Sequence, residues 1–551
     1  MGDYDGSPKP LVEALGGASA QQPQRAPEGL GVATPGGRLQ VRWDDGGQAT
    51  PLGQLAFFAE FLEVSGVFAR WVAGCPLGYT SPNAPTVNDV LGTWLLSILD
   101  GQRRYAHVTG LRGDAVAPRI LGMNKIVSDE SLRRALAHLA PSAQGRRLTE
   151  SEREARLSQV ARTSAWMDVA LHESTQEALR TPWILDIDTT IKPLYGHQDG
   201  AEISYNPHKP GRPSHALHTY WIGAMRLVLD AEMHAGKEHA PRHGLPRLLG
   251  LLAGLRAEER PQLVRGDNAY GNDVVMAALE ALGQDYLFKL KQTRGVNTLI
   301  ERHWRREEWC DAGAGMEAAQ AELKLTGWEH ARRVIVMRRA IRGDLVARQQ
   351  QRRARGGRGK QQSLSFAEGT QGLRLYEYEV LVTNTALAIE SVGWLYRDRA
   401  DCENGFDELK NQWGWGGYTT RDLERCDLSA RAVALIYNWW SWYVRLANPA
   451  ARREAITSRP LLLSGVGRLT EHAGQSRLLV TLVHGAGKQI KGMIANVREG
   501  LAHVRATAPQ LATQACWNAL VRYIIDKILA AKRRRPAPIG SYPPWLAAQV
   551  G

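Results

Sequence analysis

The chain lacks any apolar run long enough to cross a bilayer, which takes about 20 residues. Its most apolar aromatic stretch, residues 432–447, is interrupted by Asn438 and Arg445, so no membrane span is expected. Cysteine is scarce and scattered. Cys75, Cys310, Cys402, Cys426 and Cys516 make no Cys-x-x-Cys pair, and no histidine is spaced to complete a zinc pattern. A structural zinc site is thereby excluded, and a reduced, cytoplasmic protein is expected. The opening MGDYDGSPKP has neither the basic nor the apolar region of a secretion signal. Acidic residues are also in deficit: 56 Asp and Glu against 69 Lys and Arg leave a net charge of +13. That surplus favours an acidic polymer as partner, nucleic acid first and an anionic membrane surface second.

At 551 residues the chain exceeds one ordinary core, and two to four domains are expected. Residues 1–40 are rich in Gly, Pro, Ala and Gln without periodicity and are expected to form a disordered arm. Residues 41–165 are expected to be helical. Leu55, Phe58, Phe61, Leu62 and Phe68 fall at mostly helical spacing, and further helices are expected at 87–99 and 157–179. Between them Gly122 breaks the pattern and Ser128 is placed to cap a helix bearing Arg133 and Arg134. Such a helix pair could enter a DNA groove, although short helix pairs are also common in purely structural roles.

At Thr181 the pattern shifts to strands. Trp183, Ile184, Leu185 and Ile187 make a buried strand expected to deliver Asp186 and Asp188 at its C-terminal end, on one face. Buried carboxylates need a metal or a Lys or Arg partner. The following loop carries His208, Lys209, Arg212 and His215, a basic content suited to backbone phosphates or to a solvated turn. Leu263 and Val264 suggest a second strand with Asp267 just past its end and a helix from about Asn272; 285–290 reads as a third strand. Strand and helix alternate, which argues for α/β. Residues 291–385 hold β-rich runs flanking the basic segment 352–360. Beyond them, the aromatics of 428–446 are expected to be core, and 448–551 to be helical with a basic tail.

The stretch 396–413, YRDRADCENGFDELKNQW, reads as one α-helix. At about 100° per residue, Tyr396, Arg399, Glu403 and Lys410 lie within roughly 60° of one another, beside an apolar stripe of Cys402, Phe406, Leu409 and Trp413. By spacing alone an amphipathic surface helix with solvated or paired charges is the favoured explanation. Oxygen donors from Asp186 or Asp188, Asp267 and Glu403 would suit Mg²⁺ or Mn²⁺.

Tyr396, Arg399, Glu403 and Lys410 match the Y-x2-R-x3-E-x6-K signature, and the chain resembles bacterial cut-and-paste insertion-sequence transposases of the Asp-Asp-Glu class. LDIDTT and VRGDNAYG resemble the two aspartate blocks of that family. The resemblance covers roughly residues 181–447. It implies an α/β fold with a ribonuclease H-like catalytic core over 166–290 and 386–447, a β-rich domain inserted at 291–385, and mainly helical regions on either side. It implies that Asp188, Asp267 and Glu403 are catalytic and hold Mg²⁺, with Mn²⁺ able to substitute and Asp186 a further possible ligand. Tyr396, Arg399 and Lys410 would contact DNA, joined on the residue reading by Lys209 and Arg212. The implied partners are double-stranded DNA of transposon ends and target, and a second copy of the chain in a homodimeric synapse; the location would be the bacterial cytoplasm, on the nucleoid when bound. The implied reaction is metal-dependent cutting at inverted-repeat ends and transfer of the 3′ ends, in related enzymes through a hairpin, on which Trp304, Trp309 or Trp328 could stack. A ribonuclease H-like nuclease or resolvase, or an inactive DNA-binding derivative, is the alternative.

Overall fold

A computed structural model of the chain describes residues 29–44, 47–79, 81–142, 147–204, 206, 209–238, 241–304, 309–313, 315–341, 375–481, 485–507 and 512–533. The chain divides into two units, 1–48 and 49–551. In the first, Leu30–Thr34 and Gly37–Val41 pair as an antiparallel hairpin. Pro35 presets one turn dihedral, and Gly37 takes a φ of 119° that a side chain would resist. The arm expected over 1–40 therefore ends in regular structure, and its first 28 residues lie outside those described.

The second unit is built on a mixed sheet of ten strands. Its longer strands are β1 (Ile184–Pro193), β2 (Pro213–Ile222), β3 (Leu227–Ala235), β4 (Leu263–Gly266), β5 (Tyr286–Lys289), β6 (Met316–Leu323), β7 (Arg332–Ile341) and β8 (Leu375–Thr383). The order across the sheet is β6-β7-β8-β5-β4-β1-β2-β3. A two-residue strand, Cys310–Asp311, lies outside β6, and another, Glu202–Ile203, pairs with the start of β2. β2 is antiparallel to both β1 and β3, whereas β4 and β5 run parallel to β1. Ile184, Leu185 and Ile187 are all buried, as a strand covered on both faces requires.

The β-rich segment expected as an inserted domain does not form a sheet of its own. Leu381–Thr383 of β8 pairs antiparallel with Leu287–Lys289 of β5, so β6, β7 and β8 continue the central sheet. The basic segment 352–360 lies outside the described residues.

Four helices position the site: α1 (Glu150–Thr175), α2 (Ile389–Asp398), α3 (Ala400–Gln412) and α4 (Leu423–Ala447). α1 begins earlier than the hydrophobic pattern suggests, because Thr149 and Glu152 form a capping box. α4 starts at Asp422, whose side chain accepts from Arg425 N, and is buried along nearly its whole length. Trp439, Trp440 and Trp442 are core, as expected, and Trp440 and Tyr443 pack edge-on against Phe58. At ~25 cal/mol per Å² and 150 Å² or more per aromatic ring, each contributes several kcal/mol of burial, which a base-stacking role would forfeit. α4 lies against β3 and also satisfies its backbone. Asn438 Oδ1 accepts from Val228 N (2.9 Å), its Nδ2 donates to Val228 O (2.8 Å), and Asp427 accepts from Met233 N (2.7 Å).

The C-terminal region is helical at Ala455–Leu462, Gly487–Thr507 and Thr513–Arg533, but Gly467–His472 and Gln475–Val480 form a hairpin that periodicity did not indicate. None of the five cysteines forms a disulfide. Among the described residues no helix is long and apolar enough to cross a membrane.

Candidate functional site

The two aspartate blocks meet because of strand register. β1 and β4 run parallel only as far as Ile187 opposite Gly266. The next residues, Asp188 and Asp267, leave the ladder side by side. β1 itself continues to Pro193, paired there only with β2, so Asp186 and Asp188 are not at its C-terminal end as expected but at the point where its parallel neighbour stops. Gly266 permits this closeness: a Cβ there would stand 3.1 Å from Ile187, Tyr270 and Phe288. Asp267 accepts from Ala269 N (2.9 Å), and Tyr270 pairs with Thr189 across the two blocks (2.9 Å).

Asp186 is engaged elsewhere. Its two oxygens accept from Arg265 Nε and Nη2 at 2.7 and 2.8 Å, and both side chains are buried. Of the partners open to it on sequence, a metal or a cation, the structure supplies the cation, and both oxygens are occupied. The same guanidinium donates to the carbonyl of Leu395.

That last bond breaks the signature helix. In an unbroken helix Leu395 O would accept from Arg399 N; instead Arg399 N bonds Tyr396 O at 3.2 Å, one residue short. The single helix expected over 396–413 is therefore two, α2 and α3, joined at Arg399. Glu403 N still reaches Arg399 O at 3.3 Å, so the turn carrying Arg399 and Glu403 remains helical and their side chains share a face.

Arg399 closes the cluster. Its guanidinium donates to Glu403 Oε1 (3.1 Å) and to Asp188 Oδ1 (3.4 Å), linking the first and third acid blocks. Arg399 is buried, while most of the Glu403 side chain faces solvent. Burial, and then the charge of Asp188 with a further contribution from Glu403, holds the Asp267 carboxyl above the usual aspartate range. The three acids thus share one electrostatic site that is short of positive charge. Their donors are all carboxylate oxygens, which suits Mg²⁺ or Mn²⁺. Among the described residues no three His, Cys, Asp or Glu side chains stand close enough to hold one ion as they lie, and Arg399 is the cation between two of the acids.

Beside the cluster opens a cleft of about 430 Å³, lined by Lys289, Arg339, Glu379, Tyr396, Arg399 and Glu403. Burial raises the Tyr396 phenol well above its ordinary value, so it is neutral here. Lys410 is exposed near the far end of α3. Lys209 and Arg212 gather elsewhere, on the exposed Tyr195: Lys209 donates to its hydroxyl, and Arg212 lies 4.7 Å from its ring. Trp309 is stacked by Arg338 (3.9 Å), and Trp328 is buried under Arg332 (5.3 Å). Arg133 and Arg134 are exposed, with partners Asp129 and Glu130 on their own helix.

Arg265 was not singled out from the sequence. Its signal was present: a cation inside the short buried strand V-R-G-D, facing a carboxylate block that required a partner.

The transposase DDE domain, group 1, matches residues 86–499, more than half of the chain. No curated protein matches. Among solved structures the chain is similar to a piggyBac transposase in a synaptic complex with hairpin DNA, seen by cryo-EM, with 12% identity over 88% of this chain and 85% of that one and a TM-score of 0.39; the family assignment does not depend on that distant match. The chain belongs to the DDE transposase family.

Proposed function

We propose that this transposase cuts DNA at the inverted-repeat ends of its element and joins the freed 3′ ends to target DNA by metal-dependent phosphoryl transfer. The observation that carries the reading is the Arg399 bridge: one guanidinium joins Asp188 to Glu403, beside an Asp267 carboxyl raised by burial first and then by the charges of both acids. Three blocks far apart in sequence thereby form one site. The strand order β3-β2-β1-β4-β5, with the first three antiparallel and the last two parallel, supports a ribonuclease H-like core spanning 166–290 and 386–447.

In this reading Asp188, Asp267 and Glu403 hold Mg²⁺ or Mn²⁺. When bound, the ions would activate a water and stabilise both the attacking and the leaving oxygen of an in-line displacement. Arg399 gives up its place between two acids and turns to a DNA phosphate, where a guanidinium binds through paired hydrogen bonds. Tyr396, neutral, donates a hydrogen bond from the cleft wall, and Lys410 contacts the strand further along α3. Lys209 and Arg212 bind DNA away from the acids, steadied on Tyr195. Two ends must be cut together, which calls for a homodimeric synapse.

The test is incubation with duplexes carrying the repeats that flank the gene, in Mg²⁺, scoring 3′ cleavage and strand transfer separately. Glu403→Gln is expected to lose cleavage, by at least a hundredfold, and to keep end binding. Undiminished cleavage by that variant would sink the site assignment.

A further inference from the structure

Past Asp188, β1 carries a second row of polar groups. Side chains alternate along a strand, so Asp188, Thr190 and Lys192 share one face. The register with β2 places Thr219 opposite Asp188 and His215 opposite Lys192, on that same face. Thr190, Lys192, His215 and Thr219 are all buried. Thr190 Oγ1, Lys192 Nζ, His215 Nδ1 and Thr219 Oγ1 each lack a hydrogen-bond partner. A buried hydroxyl left unpaired is destabilising, and an unpaired ammonium more so. Four such atoms on one face of two paired strands, with only Leu217 opposite Thr190 among them, mark a site built for something else to satisfy.

The donor set fits an anion. It offers an ammonium and two hydroxyls, and among the described residues no carboxylate pairs with Lys192. Burial acts against the ammonium charge, the Cys426 thiol acts in its favour, and the lysine in turn bears on His215 opposite it. The cover over Lys192 is thin. Gly416, in the loop between α3 and α4, is exposed, and a side chain added there would have Lys192 Cγ as its near neighbour, at 3.9 Å. A glycine backbone is therefore what lies between the lysine stem and solvent at that point. Four residues of strand span ~13 Å, which puts Lys192 within a few nucleotides of a phosphate held at Asp188.

We infer that Lys192, with the hydroxyls of Thr190 and Thr219, is a second phosphate subsite, which takes a backbone phosphodiester of the DNA strand being cut when Gly416 moves aside, its neighbour Trp415 staying buried and bonded to the carbonyl of Ala430. The inference rests on Asp188 belonging to the cleavage site.

The test is Lys192→Met, which keeps the stem and removes the charge. Melting temperature should be unchanged or higher, since an unsatisfied buried ammonium is lost. Binding of a fluorescein-labelled duplex carrying the flanking repeats, followed by anisotropy as salt rises, should weaken several-fold, and the slope of log K against log salt should fall by about 0.9, one phosphate contact. Inorganic phosphate should raise the melting temperature of the wild type and not of the variant. Unchanged affinity and slope overturn the proposal. A phosphate effect with an unchanged slope means that the site takes a free anion and no DNA strand, which also overturns it. Should Lys192→Met fail to fold, Thr190→Val/Thr219→Val, which keeps the charge but removes two donors, must show the same loss of affinity and of phosphate stabilisation, or the proposal falls. Glu403→Gln is the control. If it still cleaves, the cleavage-site reading fails, while the salt slope for Lys192 is judged by itself.

Discussion

Replacing Asp186 and Asp188 by asparagine, one at a time, should produce two different failures. Asp186 is fully buried with both oxygens held by Arg265, itself 1% exposed. Removing one partner of such a pair leaves a guanidinium uncompensated in a low-dielectric interior, at a cost of ~3–5 kcal/mol. A unit of about 500 residues gains roughly 1 kcal/mol/K of entropy on unfolding, at ~2.1 cal/mol/K per residue, so Asp186→Asn should lower the melting temperature by about 3–5 °C. Asp188 is different: its side chain is 22% exposed, and its contact to Arg399 is 3.4 Å. Losing that contact costs less than about 1 kcal/mol, partly offset by relief of the charge that acts on Asp267. Asp188→Asn should therefore melt within about 1 °C of the wild type and have no cleavage activity, whereas Asp186→Asn should cleave in proportion to its folded fraction. Thermal melts and Mg²⁺-dependent cleavage on the same preparations decide it. Equal melting temperatures for the two variants, or cleavage by Asp188→Asn, would refute the assignment of structural and catalytic aspartates.

Asp267→Asn should lose cleavage yet raise stability at neutral pH. A carboxyl whose folded pKa lies above its unfolded value contributes stability fully present below the unfolded pKa and lost as pH rises through the folded one, so at neutral pH the ionised group is a liability that asparagine removes. The gain should shrink in melts taken on acidification into the ordinary aspartate range; a gain independent of pH would show that charge is not the cause. Arg399→Ala and Lys410→Ala should each weaken end binding by up to a few kcal/mol in anisotropy titrations, as expected for a charge-assisted phosphate contact, and normal binding and cleavage by both would remove α3 from the DNA face.

The acid cluster was legible in the sequence because its information is local. Spacing put Arg399 and Glu403 on one helical face, where they meet, and hydrophobic runs marked β1 and β4 beside their aspartates. The break at Arg399 was not legible. Nothing within 396–413 causes it; the cause is Arg265, 130 residues earlier, taking the carbonyl of Leu395. The continuation of the sheet was hidden for the same reason, since β-rich runs announce strands without naming their neighbours, and β8 finds β5 across roughly ninety residues. Asp186 and Asp188 looked alike because period-two alternation gives both the same face and says nothing of which one has a buried cation opposite it.

The way α4 covers β3 bears on how the protein survives its own sheet. A ten-stranded sheet with an open edge offers unpaired backbone groups to any other strand, and so a route to aggregation. At one end the last strand is only Cys310–Asp311, too short to template much pairing. At the other, β3 is nine residues long, but Asn438 occupies both backbone groups of Val228, and Asp427 takes the amide of Met233. Two helix side chains thus stand where a foreign strand would have to bond, which closes this edge to strand addition at those residues.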